Sequence, residues 1–223
     1  LVKLAQKAGK GHTPTMGGSF LVAALIVSVV LWARLMPDDS IDGDHDVAWD
    51  VAVDEAFAAV VATGTTTAPA AYGHSVHVEV DELSPDRWYW YRFRVGEHTS
   101  PRGRTRTCPA SSDPLSGLRL AVASCQNWQS GHYGALAALA REGVDVVLWC
   151  GDYIYEGAAT DDAIRPQPGG EAFDLAGYRA RYAQYRSDPA LRDAHAAAPW
   201  IVTWDDHEVV NNYAGSTPAV PDP

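Results

Sequence analysis

Three short apolar stretches, each running straight into polar residues that can hold a metal ion, constrain this chain more than any other feature. They are LRLAVAS (118–124), VDVVLWC (144–150) and WIVTW (200–204). Each has the length of a strand, and VDVVLWC is almost continuously apolar, as a strand buried on both faces should be. Between the first two lies GHYGALAALAREG (131–143), with apolar residues at helical spacing and a closing Gly as a stop. Between the second and third come a Gly-, Pro- and Asp-rich loop (157–170), the amphipathic stretch AFDLAGYRARYAQYR (172–186) and a short Ala-rich helix over 189–198 that starts with Ser-Asp-Pro. Strand, helix, strand, helix, strand predicts a parallel α/β sheet with right-handed crossovers.

In such sheets ligands bind beyond the carboxyl ends of the strands. Here the first strand ends in Ser124-Cys125-Gln126-Asn127, and the second in Gly151-Asp152-Tyr153-Ile154-Tyr155-Glu156. The third ends in Asp205-Asp206-His207-Glu208, followed by Asn211-Asn212. Three strand ends delivering ligand types to one rim predict a metal site. Hard cations take carboxylate oxygens, whereas softer or redox-active ions take thiolate, phenolate and imidazole. Crowded carboxylates repel one another and persist together when cations neutralise them. Two cations can clamp a phosphate and activate a water. Taken singly, each residue also has a structural reading. Cys125 fits a buried small residue, Tyr155 a core aromatic and Asp152 a helix cap. Asp205 either orients His207 or caps the segment after it, and Glu156 and Glu208 read as outer or surface residues. His132, His195 and Cys150 read as structural, and Cys108 as the end of a strand.

The first half has a different period. VAWDVAVD (47–54) and HSVHVEV (74–80) alternate apolar and polar residues. After the turn signal Ser84-Pro85-Asp86 come WYWYRFRV (88–95) and RGRTRT (102–107). This pattern predicts a small antiparallel β-sandwich. The cluster Leu83-Ser84-Pro85, Tyr89 and Tyr91 resembles the E–F corner of a fibronectin type III-like domain. PASSDPLSG (109–117) is the linker. The expected organisation is an atypical segment over 1–27, a β-sandwich over 28–108, the linker over 109–117, and part of an α/β domain over 118–223.

With 17 Lys+Arg against 28 Asp+Glu, the net charge is -11. That argues against a nucleic-acid partner, whose phosphates demand clustered basic residues. A phosphate substrate would need a local attractor such as a metal. All three Lys fall in the first ten residues, ahead of the apolar run Phe20–Ala33. That run is shorter than the ~18–20 residues of a membrane span. It reads as a buried strand, as a signal or anchor remnant, or as a foreign stretch. Three cysteines without zinc spacing do not decide the compartment.

ASCQNWQSGHYGALAALA (123–140), LWCGDYIYE (148–156) and PWIVTWDDHEVVNNYAG (199–215) resemble the PhoD-like alkaline phosphatases. SVVLWARL (28–35) and HSVHVEVDELSP with YWYRFR (74–94) are similar to that family's N-terminal β-domain. The resemblance implies a metallophosphatase that hydrolyses phosphate monoesters or diesters with ferric iron and calcium. Cys125 matches the cysteine ligand of the iron, Asp152 the aspartate bridging iron and calcium, and Tyr155 the phenolate ligand. Asp206 matches a metal-binding position, and His207 the active-site histidine near the leaving-group oxygen. Asn212 matches a metal or phosphate contact, with Asn211 the weaker candidate. The resemblance also implies an extracytoplasmic protein, a small phosphate-ester substrate and a monomer if complete. No intact export signal is visible, and no second set of His and Asp ligands follows residue 215. The expectation is therefore a C-terminally truncated chain with little hydrolysis of its own. The alternatives are an inactive remnant and a surface-anchored binding module, and strand-end ligand types disfavour the latter.

Overall fold

In the first half, period-two alternation becomes strands β1 (Leu25–Val27), β2 (His45–Ala52), β3 (Val60–Ala68), β4 (Val76–Val78), β5 (Trp88–Val95), β6 (His98–Thr99) and β7 (Gly103–Arg106). The computed structural model describes residues 25–27, 43–110, 114 and 117–214. Most of the Phe20–Ala33 run, the 28–35 segment, part of the linker and the chain from 215 onward lie outside the described residues. Of the run, Leu25–Val27 is a strand antiparallel to β4.

Strand β2 lies between β3 and β5, and the far edge of β5 takes β6 and β7, all antiparallel. The alternation aims Val47, Val51, Tyr89 and Phe93 inward, where they pack with Val76, Val78 and Val80. Burying each large apolar side chain contributes roughly 1.5–3 kcal/mol. Tyr89 is 2% exposed, and its Oη accepts the Ser84 N–H at 2.8 Å. On the opposite face of the same sheet, the Asp50 carboxylate accepts from Arg92 Nε at 2.8 Å and Arg94 Nη2 at 3.1 Å.

Strand β5 has the expected bounds, β2 begins two residues early and β4 is shorter than its alternation suggested. Strand β3 was not expected at all. Its Gly64 faces Trp49 across the β2–β3 ladder. A Cβ on Gly64 would lie 2.5 Å from Trp49 Cζ2, so the indole needs the glycine there.

The second half contains β8 (Leu120–Ala123), α1 (Gly134–Leu139), β9 (Val146–Cys150), α2 (Leu175–Arg186), α3 (Pro189–Ala197), β10 (Trp200–Thr203) and a 3-10 turn at Asp206–Glu208. β9 is central and pairs in parallel with both β8 and β10. α2 and α3 start at caps: Asp174 Oδ1 accepts the Gly177 N–H at 2.7 Å, and Asp188 Oδ1 accepts the Leu191 N–H at 3.1 Å. The cap at Asp174 explains why α2 begins at 175 rather than 172. α1 is shorter than its pattern, because Tyr133 leaves helical geometry and sends its Oη to the Gln126 carbonyl at 2.9 Å.

One face of this sheet is packed: Trp149 sits with Leu136, Tyr185, Leu191 and Ala194. The other is not. Leu120, Val122 and Ile201 are 49%, 67% and 59% exposed, and Val122, Leu148 and Ile201 are register neighbours. The reading of 144–150 as buried on both faces is thus corrected: among the described residues only the Val147 and Trp149 side of β9 is covered. The halves are joined by Arg106, which pairs with Asp145 and, at 2.5 Å, with Asp86. Arg104 Nε also donates to the Ala197 carbonyl at 2.5 Å.

Candidate metal centre

β8 and β9 end alike. Two residues past β8, Cys125 has φ +59°, and two past β9, Asp152 has φ +54°. Each left-handed non-glycine residue costs roughly 1–3 kcal/mol and persists where its surroundings over-determine it. Here the turns hold each other: the Cys125 N–H donates to the Gly151 carbonyl at 3.3 Å and the Gln126 N–H to the Asp152 carbonyl at 3.2 Å. Gln126 Nε2 donates to the Tyr153 carbonyl at 2.8 Å. Tyr185 of α2 accepts with its Oη from the Trp128 N–H at 3.0 Å and the Tyr155 N–H at 3.2 Å, tying the same two loops from below. Gly151, at φ +85°, allows the third strand end to approach. A Cβ there would lie 2.4 Å from Asp205 Cβ.

The Asp152 carboxylate is the hub. Its residue is 8% exposed. Oδ2 accepts from the Tyr155 hydroxyl at 3.1 Å and from the Cys125 thiol at 3.4 Å. Oδ1 is buried and has no hydrogen-bond partner. Ligand atoms of Asp152, Asp206 and His207 all lie within 4.8 Å of one another. Two carboxylates at that range repel, and a buried carboxylate oxygen without a donor is costly. A cation answers both problems, so these residues fit one. Burial, and next the Asp152 charge, push the Tyr155 phenol well above its ordinary range. A cation at Asp152 would offset the second of these causes.

Of the residues expected from sequence, Cys125, Asp152, Tyr155, Asp206 and His207 come together on one rim. The Tyr155 and His207 rings are 4.1 Å apart between centroids. Asn212 joins through its backbone: its N–H donates to Asp206 Oδ2 at 2.5 Å, and it too is left-handed, at φ +62°. Asn211 gives its N–H to Glu156 Oε1 at 2.6 Å. His195 lies away from the rim, stacked on Trp200 at 3.8 Å with Tyr153 Oη 2.8 Å from Nε2. Burial, then Arg186, holds its imidazole well below the ordinary range.

Sequence reasoning set aside Glu156 and Glu208, and both hold the rim together. Glu208 accepts the N–H groups of Asp152, Tyr153 and Asp205 at 3.1, 2.5 and 2.7 Å. Glu156, 4% exposed, meets His207 Nδ1 at 2.7 Å. Asp205 is the N-cap position of the 3-10 turn, so His207 is oriented by Glu156 rather than by Asp205. Their signal was adjacency: each glutamate directly follows a residue assigned to the site.

An open pocket of about 480 Å³ is lined by Cys125 and Tyr155 together with Asn127, Ser130 and His132. A parallel sheet whose strand ends gather thiol, phenol, imidazole and carboxylate groups, joined to an antiparallel β-module, defines an α/β protein with a metal-capable rim. Residues 120–221 match the family model described as PhoD-like phosphatase, and residues 25–109 match that described as PhoD-like phosphatase, N-terminal domain. The chain is 46% identical over 201 residues to alkaline phosphatase D of Bacillus subtilis (strain 168), a match covering 86% of this chain and 34% of that protein. A solved structure of PhoD superposes with a TM-score of 0.78 at 43% identity, covering 82% of this chain and 36% of the other. The chain belongs to the PhoD-like phosphatase family and spans about a third of the length of these relatives.

Proposed function

We propose that this chain carries the strand-end part of a PhoD-like phosphatase centre that binds ferric iron and calcium and acts on phosphate monoesters or diesters. The observation that carries the reading is the Asp152 carboxylate, one oxygen met by Cys125 and Tyr155 and the other buried without a donor. Cys125, Tyr155 and Asp152 offer the mixed sulfur and oxygen set that suits iron, and Asp152 with Asp206 offers the oxygens that suit calcium. When bound, the cations supply Lewis-acid stabilisation of the phosphoryl oxygens and a water of lowered pKa. Asp152 holds its two loops in register with that centre. His207 stands beside it as the group that gives a proton to the leaving oxygen. Asn212 positions Asp206 through its N–H and offers its side chain to metal or phosphate.

The same reading takes the β-module as fibronectin type III-like, supported by the Tyr89–Ser84 corner. It places a β-domain over 28–108, a linker over 109–117 and part of the phosphatase domain from 118. It also implies an extracytoplasmic location and a monomeric protein. Among the described residues no helix is long and apolar enough to cross a membrane.

The test is hydrolysis of p-nitrophenyl phosphate and bis(p-nitrophenyl) phosphate by the iron- and calcium-loaded chain. Weak hydrolysis lost in Asp152→Ala and His207→Ala supports the phosphatase reading. Hydrolysis unchanged in Asp152→Ala contradicts it, and so does retained metal with no hydrolysis of either ester.

A further inference from the structure

We propose that Glu156 is a positioning residue for His207: it fixes the imidazole in the Nδ1–H form and leaves Nε2 as the nitrogen that serves the Asp152–Asp206 rim. The proposal rests on the reading of that rim as the phosphatase centre, but its geometry stands apart from any reaction.

The carboxylate of Glu156 is nearly enclosed, and both of its oxygens are engaged. Oε1 accepts the Asn211 N–H at 2.6 Å, and Oε2 lies 2.7 Å from His207 Nδ1. An ionised carboxylate only accepts, so Nδ1 donates. The ring is also fixed from its face, because Tyr155, the residue before Glu156, packs on it. Two consecutive residues of one loop thus set the tilt and the tautomer of a histidine 51 positions later. Nε2 then carries the lone pair, which can take a proton or ligate a cation held with Asp152 and Asp206. If it takes a proton, the Glu156 charge stabilises the imidazolium until the proton passes to a leaving oxygen, as in other carboxylate–histidine pairs.

Glu156→Gln keeps the shape and inverts the chemistry. Its Oε1 can still accept from Asn211, but its NH2 group then faces Nδ1. Nδ1 must become the acceptor and the proton must move to Nε2.

The experiment is long-range 1H–15N NMR of the imidazole side chains of the full 223-residue chain at pH 9, with His207 assigned by His207→Gln. No metal or substrate is added. The pattern expected for His207 is that of the Nδ1–H form in the parent chain and of the Nε2–H form in Glu156→Gln. An Nε2–H pattern in the parent chain overturns the proposal, and so does an unchanged pattern in a folded Glu156→Gln. Should that variant not fold, the parent chain's pattern alone decides. Because the readout needs no turnover, an Nδ1–H ring in a chain without phosphatase activity would sink the phosphatase reading and leave the positioning role standing.

Discussion

Glu208 and Asp152 follow different strands of the sheet, and the Glu208 carboxylate accepts the Asp152 backbone N–H at 3.1 Å. The same carboxylate accepts from Tyr153 and Asp205, so one side chain clamps the ends of β9 and β10 at the fixed separation that a shared ligand requires. Glu208→Ala leaves three N–H groups without their acceptor. The variant is expected to lose about 1.5–3 kcal/mol of stability, the scale of hydrogen bonds to a charged group. Urea denaturation checks this, and it should be accompanied by weaker metal retention. A midpoint equal to that of the parent chain contradicts the clamp.

Gly151→Ala tests how closely the strand ends must approach. The position is left-handed, and a methyl group would collide with Asp205. Strain alone costs roughly 1–3 kcal/mol, and the collision adds to it. The variant is expected to melt earlier and to bind metal poorly. Parent-like melting and metal content would show that the strand ends have slack.

His195 sets a pH dependence. Its pKa in the folded chain lies below its unfolded value, so the unfolded chain binds the extra proton. Stability from the neutral ring is complete above about pH 6.5 and declines below it, by up to about 1.4 kcal/mol per pH unit. His195→Phe keeps a ring against Trp200 and removes the proton site. Between pH 8 and 5 the melting temperature of the parent chain should fall more steeply than that of the variant, and parallel curves would refute the neutral assignment.

Asp50 works in the opposite range. Burial alone would raise its carboxyl, but Arg92, Thr63 and Arg94 together hold it below the ordinary range. That contribution is present at neutral pH and is lost as pH falls through the lowered value, below about 4. Asp50→Asn is expected to cost about 1–3 kcal/mol at pH 7, with the difference closing toward pH 3. Chemical denaturation at the two pH values checks this, and a constant gap would contradict it.

Legibility followed the kind of signal each residue carries. Strand β5 was readable because six of its eight residues are β-formers and the run alternates between core and Arg-bearing faces. β3 was not, because Gly64 serves Trp49 on another strand, a tertiary need that local pattern cannot express. The start of α3 was readable from Ser-Asp-Pro, whereas α2 starts three residues inside its pattern because Asp174 caps it, and α1 lost its first turn to the Tyr133–Gln126 contact. That Cys125, Asp152, Tyr155, Asp206 and His207 share one rim was legible because each lies just past the end of an apolar run. Glu156 and Glu208 were set aside because a carboxylate that accepts backbone N–H groups looks, in sequence, like any surface acid.

Asp152 is the proposed anchor of the metal centre. The most direct measurement of that role is metal content by mass spectrometry after loading with ferric iron and calcium and exhaustive dialysis, for the parent chain and for Asp152→Ala and Cys125→Ala. The parent chain should retain both ions, Asp152→Ala should lose both and Cys125→Ala should lose iron selectively, with circular dichroism unchanged. A parent chain that retains no metal, or an Asp152→Ala chain that retains as much as the parent, would contradict that role.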